Sequence, residues 1–191
     1  MTDMDYQDIN AQTIDRWIQE GWEWGKPISH EVYEKAVNGE REGYDIRIIR
    51  GDMTKPLPFA DEEFDMIFHP VSNCYVEDVR PIWKECYRVL KPGGYLLSGT
   101  DHYVNYIVDA EEKQIINELP FNPLRNPEQM KQLEADDAGV QFSHSLEEQI
   151  GGQLEAGFML LALYEDTNGE GRLHEMHIPT FLAMRSRKPL V

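Results

Sequence analysis

The stretch from Asp52 to Leu97 decides the fold. It opens with an acidic, proline-rich segment, DMTKPLPF at residues 52–59, and continues as DEEFDMIF at residues 61–68. Its last part is RVLKPGGYLL at residues 88–97. We interpret this order as an acidic turn, a short buried strand, an amphipathic helix that ends at glycine, and a second buried strand. Such an alternation predicts an α/β fold, in which helices cover a parallel sheet.

The same motifs, in this order and spacing, resemble the C-terminal two-thirds of class I S-adenosylmethionine-dependent methyltransferases over residues 45–185. The resemblance implies a Rossmann-like, mostly parallel sheet in the order 3-2-1-4-5-7-6, closed by an antiparallel hairpin. It also implies S-adenosylmethionine as the cofactor. However, no G-x-G motif follows a predicted strand. We therefore expect a reduced sheet without the family's strands one and two, which would carry the glycine-rich loop and an acidic ribose-binding residue.

Composition narrows the classes of function. The chain has 191 residues and a formal net charge of -17, which argues against binding a nucleic-acid backbone or an anionic membrane surface. No apolar run reaches the roughly 20 residues of a membrane span, and the acidic N-terminus does not resemble a signal peptide. The two cysteines, Cys74 and Cys86, make no disulfide framework. We therefore expect a cytoplasmic protein with reduced thiols.

The length predicts one methyltransferase-like domain over residues 1–191. We divide it into four parts, which are an N-terminal helical lid (1–43), a core sheet (44–108), a variable insertion (109–141) and a C-terminal helix with a hairpin (142–191). The lid would include Tyr33, Trp22 and Trp24 over the cofactor and substrate. Alternatively, these tryptophans simply pack the helices onto the sheet, since aromatic side chains bury large areas.

The candidate site lies where the predicted strands end, because ligands of open parallel sheets bind beyond the carboxyl ends of the strands. By the resemblance, Asp52 would hydrogen-bond the adenine amino group. An Asx turn after a strand is the alternative for this residue. Met53 would lie against the adenine ring. The methionine and methyl side of the cofactor would be lined by the loop after the second predicted strand, at His69, Pro70, Ser72 and Asn73.

Methyl transfer asks the protein mainly for proximity, alignment and a dry pocket, because the cofactor is already activated. A base is needed only if the acceptor loses a proton. We predict His69 and Tyr33 as the catalytic residues, with His30 and His102 as further candidate bases. No metal site is expected, since His174 and His177 have no third ligand at a recognisable spacing.

Periodicity predicts two helices, and the resemblance implies a closing hairpin. The first helix has an apolar stripe of six residues, and Ser145 with Glu148 forms a capping box that opens the second. We predict that the second helix buries Leu146, Ile150 and Leu154, and that strands at 158–164 and 178–185 form the hairpin. The stripe of the first helix consists of Val79, Ile82, Trp83, Cys86, Val89 and Leu90.

Two functions remain open. The first is an S-adenosylmethionine-dependent methyltransferase that acts on a small molecule. The second is a non-catalytic remnant of the methyltransferase fold that acts as a binding or structural protein. Without strands one and two, the strand at residues 46–49 would leave an exposed sheet edge, and exposed edges promote association. We therefore predict a homodimer.

Overall fold

The computed structural model describes residues 5–21, 49 and 51–190. The chain divides into two units, residues 1–52 and 53–191. The described part of the first unit is helix α1, Tyr6–Gln19, which begins where the Asp5 carboxylate accepts a hydrogen bond from the Asp8 amide. The strand predicted at residues 44–49 lies outside the described residues except for Ile49. The expectation of one domain stays a prediction.

The second unit contains a four-stranded sheet and four short helices. The strands are β1 (Phe64–His69), β2 (Leu90–Asp101), β3 (Met159–Asp166) and β4 (Phe181–Arg187). The helices are α2 (Arg80–Val89), α3 (Pro127–Ala135), α4 (Gly152–Ala156) and α5 (Gly171–Glu175). Two 3-10 turns, Asn73–Tyr75 and Tyr103–Tyr106, and one π-helical turn, Glu147–Gly151, complete the described elements. No helix in this part of the chain is both long and apolar enough to cross a membrane.

The sheet confirms the predicted fold class. Its strand order is β1-β2-β4-β3, the arrangement expected for the last four strands in the order 3-2-1-4-5-7-6. Strands β1 and β2 are parallel, with Met66 opposite Tyr95. The other two pairings are antiparallel, and β3 and β4 form the predicted closing hairpin.

Helix α2 forms the core of the second unit. All six residues of the predicted apolar stripe are buried, and Trp83 is completely inaccessible to solvent. Five of them, all except Val89, belong to a core cluster with Leu96 of β2 and with Phe158, the residue before β3. The helical period of the sequence therefore gave the buried face of α2 correctly.

The prediction for the second helix is wrong in its buried face. Its capping box is present, since the Ser145 amide donates to Glu148 Oε2 at 2.8 Å and the Glu148 amide donates to Ser145 Oγ at 3.2 Å. However, Leu146 and Leu154 are exposed, whereas Gln149 and Gln153 are buried. Apolar spacing misled the prediction because the two amides have hydrogen-bond partners inside the protein and can therefore be buried.

Among the described residues, helices pack on only one of the two faces of the sheet. Successive side chains of a strand point to opposite faces, and helices α2 and α4 pack on the face that contains Leu96 and Ser98. On the other face, Met66, Phe68 and Tyr164 are exposed. Among the described residues, this second face therefore has no covering helix.

Candidate active site

A cavity of about 360 Å³ lies between β1, helix α2 and the segment at residues 53–59. Its volume falls in the range of roughly 300–1,000 Å³ that is usual for small-molecule sites. Most of its lining is apolar, as such sites require. The lining residues are Met53, Leu57, Phe59, Phe64, Met66, Ile67, His69, Ser72, Ile82, Glu85, Cys86 and Val89.

Glu85 and Arg88 of α2 fix one wall of this cavity through hydrogen bonds to the backbone of the segment at residues 53–59. Glu85 Oε2 accepts a hydrogen bond of 2.8 Å from the Leu57 amide. Arg88 donates to the carbonyl oxygens of Phe59 and Leu57 at 2.8 and 3.1 Å, and also to Glu85 itself. The hydrogen bond from Arg88 lowers the pKa of Glu85. The L-P-F and R-V-L motifs of the sequence are thus two parts of one structural unit.

His69 is the last residue of β1 and lines the cavity. Its Nε2 lies 2.8 Å from Asn73 Oδ1. Its ring meets the Trp83 indole edge-on, with centroids 5.5 Å apart. Burial lowers the pKa of His69 below its ordinary value of 6.5, so the imidazole is neutral at pH 7 and can accept a proton.

Asn73 lies behind the cavity lining and is completely buried. Its Nδ2 donates to Gln149 Oε1 at 2.8 Å. Its backbone carbonyl accepts a hydrogen bond of 3.0 Å from Nε2 of the buried His144. The loop after β1 is therefore fixed through both its side chain and its backbone.

The structure brings three of the six predicted cofactor-binding residues to the cavity, namely Met53, His69 and Ser72. Asn73 contacts His69 from behind. Pro70 lines a groove on the exposed face of the sheet instead. Four candidates remain. Asp52 is exposed and precedes Met53 in the chain. His102 directly follows β2, and its Nδ1 accepts a hydrogen bond of 3.2 Å from the Val104 amide. Tyr33 and His30 lie outside the described residues.

The buried polar residues around the loop after β1 were not predicted from the sequence. Gln149 and Gln153 are four residues apart, which places them on one face of a helix, but glutamine is mostly a surface residue. His144 donates through Nε2 to the carbonyl oxygens of both Asn73 and Val76. The spacing of the two glutamines was the only available signal, and the neighbouring leucines obscured it.

Two other buried groups complete the surroundings of the loop after β1. Burial raises the pKa of the Cys74 thiol well above its usual range, which makes this residue a poor nucleophile. Asp101 at the end of β2 accepts a hydrogen bond from the Tyr106 hydroxyl, and burial raises the pKa of this carboxyl. The described residues include no group of three side chains that could hold a metal ion.

The sequence comparisons agree with this architecture. The family description "methyltransferase domain" matches residues 25–98. A Bacillus subtilis protein named uncharacterized methyltransferase YbaJ is 41% identical over 167 residues, which cover 81% of this chain and 65% of the relative. The chain is therefore similar to a known methyltransferase over most of its length. The matches to methyltransferases support S-adenosylmethionine as the cofactor.

Further matches of the chain are shorter or more distant. A Coxiella burnetii malonyl-[acyl-carrier protein] O-methyltransferase 1 is 48% identical over 44 residues, 23% of this chain and 16% of the relative. The chain therefore spans less than two-thirds of the length of these relatives. A Mesorhizobium loti S-adenosylmethionine dependent methyltransferase shares the fold, with a TM-score of 0.58, 19% identity, and coverage of 83% of this chain and 76% of the other.

A Listeria monocytogenes protein described as a putative S-adenosylmethionine dependent methyltransferase also shares the fold of this chain. Its TM-score is 0.54 at 15% identity, over 84% of this chain and 76% of the other. At such low identities, these two structures support the fold alone.

The family's cofactor can be tested against the cavity lining. A flat purine ring suits the apolar wall at Met53, Leu57 and Phe59. Polarisable thioethers such as Met53 make favourable contacts with aromatic rings. His69 and Ser72 supply the polar groups. The lining therefore fits the adenine and methyl-bearing parts of S-adenosylmethionine, and the absence of the glycine-rich loop stays a prediction.

Proposed function

We propose that the chain is an S-adenosylmethionine-dependent methyltransferase that acts on a small molecule. The observation that supports this most strongly is the mostly apolar cavity of about 360 Å³, which is lined by Met53, His69 and Ser72. In this proposal the cofactor's adenine ring lies against Met53, and Asp52 hydrogen-bonds the adenine amino group. The methyl-bearing part lies toward His69 and Ser72.

The cofactor would supply a methyl group on a positively charged sulfur, already activated for transfer. The apolar walls would exclude water and align the acceptor, which accounts for most of the expected rate increase. His69 would take the proton that the acceptor loses, because its imidazole is neutral at pH 7. Tyr33 remains the second proposed catalytic residue.

The proposed substrate is a small molecule because the net charge of -17 opposes binding to nucleic acid and to anionic membranes. The proposed location is the cytoplasm. Both cysteines are free and buried in the structure, as expected for a protein that folds under reducing conditions.

Calorimetric titration with S-adenosylhomocysteine tests the proposed cofactor site. We expect one-to-one binding with a micromolar dissociation constant. Met53→Ala should weaken binding roughly tenfold, which is the effect of losing one well-packed apolar contact, and Asp52→Ala should also weaken it. Met159→Ala on the edge strand β3 is the matched control and should leave binding unchanged. Absence of binding by a folded protein would refute the proposal.

The exposed face of the sheet favours a second candidate, a non-catalytic dimeric protein. Phe68 and Tyr164 are 71% and 62% exposed, and together with Leu97 and Ala183 they line an apolar groove. Strand β1 pairs only with β2 among the described strands. We propose that a second copy of the chain covers this region. Sedimentation equilibrium tests this proposal, and a monodisperse monomer would count against it.

A further inference from the structure

Three buried or half-buried side chains form a continuous chain of hydrogen bonds behind the cavity. His69 Nε2 lies 2.8 Å from Asn73 Oδ1, and Asn73 Nδ2 lies 2.8 Å from Gln149 Oε1. Asn73 and Gln149 are 0% and 1% exposed. We call His69, Asn73 and Gln149 the amide chain. It connects His69, which lines the cavity, to the π-helical turn, in which Gln149 lies 76 residues beyond Asn73 in the sequence.

The direction of each hydrogen bond in the amide chain follows from its chemistry. Asn73 uses its amide nitrogen to donate to Gln149 Oε1, so the atom that faces His69 is the amide oxygen. A carbonyl oxygen only accepts hydrogen bonds. His69 Nε2 must therefore carry the proton. In the neutral ring, the lone pair then lies on Nδ1, which has no hydrogen-bond partner among the described residues.

A buried glutamine at position 149 lowers the stability of the fold unless its side-chain oxygen makes a useful hydrogen bond. Its Nε2 is buried and has no hydrogen-bond partner in the described part of the chain. A buried donor without a partner costs free energy, which an apolar side chain of similar size would avoid. The stabilising contribution of this amide is therefore made through Oε1, which holds Asn73.

The π-helical turn also supports the imidazole from a second side. The carbonyl oxygen of Glu148 accepts a hydrogen bond of 3.1 Å from the Trp83 indole nitrogen, and the Trp83 ring lies edge-on to His69. Single π-helical turns occur often at functional sites, where they re-aim side chains. Here the turn Glu147–Gly151 presents one side chain and one carbonyl oxygen to the groups around His69.

We propose that Asn73 and Gln149 are positioning residues that hold His69 with Nε2 protonated, so that Nδ1 is the proton acceptor of the site. The role of Nδ1 as the proton acceptor in methyl transfer rests on the proposed function. The tautomer of His69 does not, because it is a property of the protein without ligands. An experiment can therefore refute either claim without refuting the other.

Long-range nitrogen–proton NMR of ¹⁵N-histidine-labelled full-length chain measures the tautomer directly. The chain has six histidines, and comparison with His69→Gln assigns the signals of His69. We expect the wild type to show the Nε2-protonated form. In Gln149→Met, the ratio of this form to the Nδ1-protonated form should fall about fivefold, the factor that one typical net hydrogen bond supplies.

Gln153→Met is the matched control. Gln153 is equally buried, at 1% exposure, but it bonds Ser98 and Ser186 rather than Asn73, so its loss should leave the His69 tautomer unchanged. Asn73→Asp should keep Nε2 of His69 protonated, because the carboxylate still accepts a hydrogen bond from Nε2. The carboxylate should also raise the pKa of His69.

Three outcomes would overturn the inference. They are a wild type with Nδ1 protonated, a Gln149→Met variant with the wild-type ratio, and equal shifts in Gln149→Met and Gln153→Met. The wild-type spectrum decides even if a variant does not fold. If S-adenosylhomocysteine does not bind while the tautomer is as expected, only the proposed function fails.

Discussion

The two faces of the sheet differ in chemistry as well as in cover. The face under α2 and α4 buries polar residues, since Ser98 and Ser186 lie inside the protein and both bond Gln153. The face without a covering helix among the described residues presents apolar side chains, including Met66 and Phe68. On the covered face, hydrogen bonds among the buried polar side chains offset the loss of their contacts with water. On the uncovered face, apolar side chains remain in contact with water.

This difference separates the two functions. Hydrogen-bonded buried polar groups hold neighbouring side chains in one geometry, and Asn73, which is bonded to Gln149, lies in this way beside His69. A contiguous apolar patch at a surface marks a site of association. The covered face therefore carries the proposed chemistry, and the exposed face carries the proposed contact with a second copy. Four predictions test this division.

Removal of the Trp83 side chain should have the largest effect on stability. Trp83 is completely buried and touches both α4 and the core, so Trp83→Ala should cost about 3–5 kcal/mol of unfolding free energy. Urea denaturation measures this loss. Phe68→Ala on the exposed face is the control and should change stability by no more than about 0.5 kcal/mol. Similar losses in the two variants would contradict the comparison.

Two adjacent glycines in the second helical segment give a matched pair. A Cβ atom at Gly152 would lie 2.7 Å from Trp83 Cδ1, whereas at Gly151 the nearest atom is Glu147 Cγ at 3.6 Å. Gly152→Ala should therefore destabilise by about 1–3 kcal/mol. Gly151→Ala should be neutral or stabilise by up to about 1 kcal/mol. Thermal unfolding of both variants checks this, and a reversed order would show that the helix does not approach Trp83 as described.

The pH dependence of stability should report on His69. Because burial lowers its pKa below 6.5, the folded state binds fewer protons than the unfolded state between the two pKa values. Stability should therefore be fully present above about pH 6.5 and fall as the pH drops through the folded pKa. Urea titrations should show a larger loss in the wild type than in His69→Gln. The variant retains every other titrating group, so equal losses would mean that His69 is not buried as described.

A charge on the exposed face should change association rather than folding. Phe68→Asp should leave unfolding free energy within about 0.5 kcal/mol of the wild type. It should raise the dissociation constant of the dimer by roughly tenfold or more, as expected for a central apolar contact. Sedimentation velocity over a concentration series measures this. A dimer unaffected by the substitution would place the contact elsewhere.

Much of the fold could be predicted from the sequence because local patterns determine it. The stripe on α2 follows from a period of 3.6 residues, and the capping box at Ser145 follows from two side chains three residues apart. The closing hairpin follows from the resemblance to the methyltransferase family. The exposed sheet face could not be predicted from the sequence, because Phe68 and Ile67 are both apolar. Which of the two is covered depends on where the helices pack, and this is a tertiary feature.

The site was predicted only in part. Met53, His69 and Ser72 were predicted as cofactor-binding residues from the resemblance, and all three line the cavity. Gln149 was missed because it contacts Asn73 across 76 positions of sequence. A hydrogen bond between residues so far apart leaves no local pattern, and hydrophobicity assigns a glutamine to the surface.

The most direct test of the account asks which face receives the cofactor. The chain has eight methionines. Met53 lines the cavity, and Met159 lies 44% exposed on the edge strand. In a ¹³C-methyl-methionine NMR titration with S-adenosylhomocysteine, assigned through single Met→Leu variants, the Met53 methyl signal should shift and saturate, while that of Met159 should not move. A saturating shift of Met159 with Met53 unchanged, or no shift of either signal, would contradict the proposed cofactor site.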